Sequence, residues 1–74
     1  MSSSGRHEEA IEEAERALQL DPLSLVINQN LAFSYYYARR YDEAIEQSRK
    51  TLELDKSFSS AYLTINQSYE AKGM

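Results

Sequence analysis

The sequence predicts an all-α fold of about four antiparallel helices stacked as helix-turn-helix repeats. Three observations carry that prediction. Tyr41 to Asp55 reads as one amphipathic helix: Tyr41, Ala44, Ile45, Ser48, Thr51 and Leu52 share one face at helical spacing, and the charged residues fall on the other. The same stretch has already occurred once. Ala10-Ile11-Glu12 returns as Ala44-Ile45-Glu46, and Leu18-Gln19-Leu20-Asp21 returns as Leu52-Glu53-Leu54-Asp55, each 34 residues later. Between 6–21 and 40–55, eight of sixteen positions are identical, and a period of this size marks a stack of similar units. Finally, no glycine or proline lies between Leu23 and Lys72 to close a β-hairpin.

Each element follows in order. Residues 1–6 are polar and read as a flexible N-terminus. A first helix is expected over 7–20, with Ala10, Ile11, Ala14, Ala17 and Leu18 as its apolar face; Asp21-Pro22 ends it, because the residue before a proline avoids helical geometry. Ser24 is placed to cap the next helix, which runs over about 25–38. Val26-Ile27 and Tyr35-Tyr36-Tyr37 favour strand locally, yet Ile27, Leu31, Ser34, Tyr35 and Ala38 keep helical spacing, and helix is the reading adopted. Val26, Phe33, Tyr36 and Tyr37 form a second apolar stripe on it. A helix with two apolar faces is covered on both or offers one to a partner. Arg39-Arg40 turns into the third helix, 41–54. A fourth follows over 59–72, with Tyr62, Ile65 and Tyr69 as its stripe and Gly73 at its end. The expected core comprises Ala10, Ile11, Ala14 and Leu18; Ile27, Leu31 and Tyr35; Ala44, Ile45, Ser48 and Leu52; and Ile65 and Tyr69.

Composition narrows the function classes. The net charge of −4 argues against nucleic acid, which needs clustered bases. No cysteine is present, so neither a disulfide framework nor a thiolate site is available. No apolar run approaches the roughly 20 residues of a membrane span, and a cytoplasmic setting is the default expectation. His7 is the single histidine and reads as a solvated residue at a helix start. Glu8, Glu9, Glu12 and Glu13 read as a solvated acidic face. No phosphate loop or nucleophile–base pair is present, so the reading is no enzyme, no metal and no cofactor.

The 34-residue period of paired helices resembles the tetratricopeptide repeat. That family's first helix carries an aromatic, then a Leu-Gly pair, then Tyr; here the second helix reads Asn28, Leu31-Ala32, Tyr35 and the fourth reads Tyr62, Ile65-Asn66, Tyr69. Its second helix carries spaced Ala and small residues before a closing Pro; here these are Ala10, Ala14, Ala17 and Pro22, then Ala44, Ser48, Thr51 and Lys56. Asn28, Ala32, Asn66 and Lys56 depart from the pattern and imply looser packing. In this register the chain opens on a second-type helix (7–20), holds one complete repeat (25–56) and closes on a first-type helix (59–72), so that 7–72 is one repeat domain.

The resemblance implies a protein-interaction scaffold that binds a peptide or partner segment on the concave face made by first-type helices. The matching positions are Val26, Gln29, Asn30, Phe33, Tyr36 and Tyr37, then Leu63 and Gln67. The alternative is self-assembly through the terminal helices as a homo-oligomer, carried by Ala10, Ala14 and Leu18 on the first helix and Ile65 and Tyr69 on the last, with Gly5 of one molecule equivalent to Gly73 of another.

Overall fold

The computed structural model describes residues 4–73 and contains α1 (Ser4–Leu20), α2 (Leu25–Tyr37), α3 (Tyr41–Leu54) and α4 (Ser59–Ala71), with no strand among the described residues. The sequence period returns as a period of structure. Helices α1 and α3 end at Leu20 and Leu54, while α2 and α4 begin at Leu25 and Ser59 and end at Tyr37 and Ala71, each pair 34 residues apart.

Three helix boundaries differ from expectation. Helix α2 ends at Tyr37, with Ala38 as its cap. Helix α1 starts at Ser4 and not at His7, so residues 4–6 of the expected flexible segment are helical, and residues 1–3 lie outside the described residues. Arg is a good helix former and Ser an intermediate one, the single Gly costs about 1 kcal/mol, and no proline stops the helix from running back through them. At the other end of the chain, Lys72 is the cap of α4, and Gly73 follows at φ 85°. Short turns join the helices and send each back along its neighbour. Ser24 caps α2 as expected, its hydroxyl accepting from the Ile27 amide at 3.3 Å. At the end of α3, Asp55 accepts from both the amide and the hydroxyl of Ser57, at 3.0 and 2.8 Å; these bonds hold its carboxyl below the usual range.

The Cα extents are 39 × 34 × 14 Å, and the smallest leaves room for no more than two layers of helices. Helix α2 packs on α1, α3 and α4, and α3 packs on α4. Ile11, Leu31, Tyr35 and Ala44 form the central apolar cluster, with Ala14, Leu18, Tyr36 and Ala38 against it.

The core differs from expectation in composition. Ala32, Ser48, Thr51, Ala61, Thr64 and Ser68 are all fully buried, and among them only Ser48 stood in the expected core. Small side chains occupy these positions because helices crossing close together leave no room for larger ones. Ala10, expected inside, is exposed, and Ile27, Leu52, Ile65 and Tyr69 are half-buried. The departures at Asn28 and Ala32 do not loosen the packing. Ala32 is fully enclosed, and Asn28 is 3 % exposed and hydrogen-bonded at both ends of its amide. Its Nδ2 donates to the Ser24 and Pro22 carbonyls at 2.8 and 3.1 Å, and its Oδ1 accepts from Gln47 Nε2 at 2.7 Å. A polar network thus ties the α1–α2 turn to α3 where the family pattern has an aromatic.

Candidate interaction surface

Among the described residues, α2 exposes two large apolar side chains, Val26 and Tyr37, and α4 exposes Tyr62 and Leu63. The inner face of α2 is committed through Asn28, Gln29, Leu31, Ala32 and Tyr35, and Val26, Asn30 and Tyr37 turn outward. Val26 is 64 % and Tyr37 62 % exposed; Asn30 is exposed, and Phe33 and Tyr36 are half-buried. The aromatic rings make a connected ladder. Phe33 lies 6.5 Å from Tyr37 between centroids, Tyr37 meets Tyr36 edge-on at 5.5 Å, and Tyr36 meets Tyr41 of α3 edge-on at 5.6 Å. The edge-to-face contacts of Tyr36 with Tyr37 and Tyr41 restrict these rings, so part of the side-chain ordering that binding requires is already met. On α4, Leu63 is 55 % exposed and Gln67 half-buried.

Gln29 does not belong to this surface. It is 4 % exposed and bridges α2 to α4, its Nε2 donating to Thr64 Oγ1 at 2.7 Å and to the Ser60 carbonyl at 3.4 Å. Helical spacing placed it beside Val26 and Asn30, but the cover comes from a helix about 35 residues away, which local periodicity does not register.

The five residues expected at an interface between copies are spread over the two terminal helices. Ala10 is exposed, while Ala14, Leu18, Ile65 and Tyr69 are half-buried. Leu18 already packs on the central cluster, and the Tyr69 hydroxyl accepts from Arg49 at 3.1 Å.

Two features escaped the sequence reading. One is a groove lined by Leu18, Pro22 and Leu54 together with Asn28, Lys50 and Glu53; the repeated Leu-x-Leu-Asp ends of α1 and α3 were its signal. The other is the Arg40 cluster. Arg40 donates to both oxygens of Glu43 at 2.6 and 2.7 Å, reaches Glu8 at 3.4 Å and sits 5.1 Å above the Tyr35 ring. The Tyr35 hydroxyl donates to Glu15 at 3.0 Å, and burial, followed by that carboxylate, pushes its pKa up to about 12. Among the described residues no three His, Asp or Glu side chains converge as a metal site, and no helix is long and apolar enough to cross a membrane.

Comparison with known proteins gives one family. The sequence profile of the tetratricopeptide repeat matches residues 2–65. Among curated proteins none matches the chain.

Proposed function

The chain belongs to the tetratricopeptide repeat family, whose members generally mediate protein–protein interaction, and from that premise we propose that it binds an extended, apolar segment of a partner protein along α2 and α4, with no catalysis of its own. The ladder of Phe33, Tyr37, Tyr36 and Tyr41 carries this reading. It is partly exposed, ordered in part by its own contacts and continued by Val26 and Asn30 toward one end of α2. Aromatic side chains anchored in this way are the usual centres of binding energy at protein interfaces. Leu63 and Gln67 extend the surface onto α4. Lys and Arg are absent from both stripes, so the segment is held by apolar contact and not by its terminal carboxylate.

A peptide-library screen tests the reading, with wild type compared against Phe33→Ala and Tyr37→Ala. Tyr37 is exposed enough for its truncation to spare the fold. Ligands whose affinity falls about tenfold or more in both variants support it. Ligands indifferent to both rings, or none at all, overturn it. A second reading, assembly between copies, rests on the open groove between α1 and α2, which Asn30 also lines.

A further inference from the structure

The seam between α1 and α2 is related by the 34-residue period to the seam between α3 and α4, yet the two are covered differently. In the α3–α4 seam, Ala44, Gln47 and Thr64 are 0 %, 5 % and 0 % exposed. One period earlier, Ala10, Glu13 and Asn30 line an open groove and are exposed. What closes the α3–α4 seam is α2. It lies against both α3 and α4, with Asn28 on Gln47 and Gln29 on Ser60 and Thr64. The protein therefore displays, inside itself, the kind of helix that covers such a seam. Helix α4 is of that kind, since it begins and ends one period after α2.

We infer that, in the 74-residue chain, the groove between α1 and α2 takes α4 of a second copy, head to tail, completing a repeat between molecules. The period specifies the contacts. Gln29, which reaches Ser60 and Thr64, becomes Leu63 of the second copy facing Val26 and Asn30. Leu63 and Val26 are two of the most exposed apolar side chains of α4 and α2, at 55 % and 64 %, and this register sets them together. Tyr36, which meets Tyr41, becomes Glu70 of the second copy beside His7, an acid opposite an imidazole. The cost of the join falls on Glu13, a carboxylate at the place where Gln47 is buried neutral one period later. Because the contact repeats the operation that relates one repeat to the next, it does not close on itself, and copies add in a row. This inference uses the groove at α1; it shares Val26, Asn30 and Leu63 with the proposed peptide surface and leaves the aromatic ladder free.

Sedimentation velocity on the 74-residue chain, from about 10 µM to about 1 mM, is the test. The expected result is a weight-average mass that climbs past the dimer with concentration. Leu63→Glu and Val26→Lys each weaken the association about tenfold, the two together restore it, and Glu13→Gln strengthens it severalfold. Both of the weakening positions are exposed in the single chain, and unchanged circular dichroism confirms that the variants fold. A chain that stays monomeric throughout overturns the inference. So does a mass that stops at the dimer, an association indifferent to either single variant, or a double variant that fails to recover. Any of these outcomes leaves the peptide-binding reading standing.

Discussion

Arg39 and Gly73 stand 34 residues apart in the same left-handed turn, at φ 65° and 85°, each just past the cap of a first-type helix. In both turns the chain folds back onto the helix it has left. Arg39 donates its amide to the Tyr36 carbonyl and Gly73 to that of Glu70, both at 3.0 Å. Glycine adopts this conformation freely, whereas an L side chain clashes with its own backbone there. Arg39 is exposed, so its side chain returns little in packing.

Arg39→Gly is therefore expected to stabilise the protein by about 1 kcal/mol, the left-handed penalty less the extra chain entropy of glycine. A higher urea midpoint at unchanged slope is the readout, with Arg39→Ala as the control that removes the charge and keeps the strain. A midpoint that rises equally in both variants would assign the effect to charge.

Asn28 and Gln47 carry the second prediction. Asn28→Ala removes three hydrogen bonds and leaves the buried Gln47 amide without its acceptor. Stranding one buried donor costs about 1–3 kcal/mol, and the turn contacts add to it, so a loss of about 2–3 kcal/mol is expected in urea unfolding. Asn28→Ala in a Gln47→Leu background should cost measurably less, because the stranded amide is gone. Equal costs in the two backgrounds would mean that the pair is not coupled.

Ser48 and Ser68 offer the opposite sign. Both are fully buried, Ser48 on α3 and Ser68 on α4, and neither hydroxyl has a hydrogen-bond partner among the described residues. One period before Ser48 the chain carries alanine, at Ala14. Removing an unpaired buried hydroxyl and gaining helix propensity should raise stability by about 1 kcal/mol for Ser48→Ala, and similarly for Ser68→Ala. Thermal denaturation checks this, and a lower midpoint in either variant would show that the hydroxyl is satisfied.

The repeat made most of this architecture legible. Leu-x-Leu-Asp occurring twice fixed the ends of α1 and α3, and Asp21-Pro22 with Ser24 fixed the passage into α2. Burial was legible for large apolar residues such as Ile11, Leu31 and Tyr35 and for Ser48, and was missed for Ala32, Ala61 and most buried polar residues. Thr64 and Gln29 look like surface residues to any periodicity, and inside the fold Gln29 Nε2 donates to Thr64 Oγ1 across α2 and α4, while Gln29 Oε1 has no partner among the described residues. Ala10 errs the other way. It repeats Ala44 in sequence, but Ala44 lies under α2 and Ala10 lies in the open groove. Sequence equivalence carries the position on a helix, and the neighbouring helix decides whether that position is covered.

The last prediction concerns alkaline pH. The Tyr35 phenol is 8 % exposed and donates to Glu15, and its pKa is raised from 10.0 to about 12, chiefly by burial. In the unfolded chain the same phenol loses its proton near 10. Between those values the folded state holds a proton that the unfolded state has released, so stability falls as pH rises. The Tyr35 contribution is fully present below about pH 10 and is lost progressively up to about pH 12. Tyr35→Phe cannot ionise. It gives up the bond to Glu15 at neutral pH, which lowers stability by about 1 kcal/mol, and its stability should then decline less steeply than that of wild type across the alkaline window. Urea midpoints measured at pH 8, 10 and 11 on the two proteins give the comparison. Parallel declines would mean that Tyr35 is accessible to solvent and that the α1–α2 packing around it is looser than the structure describes.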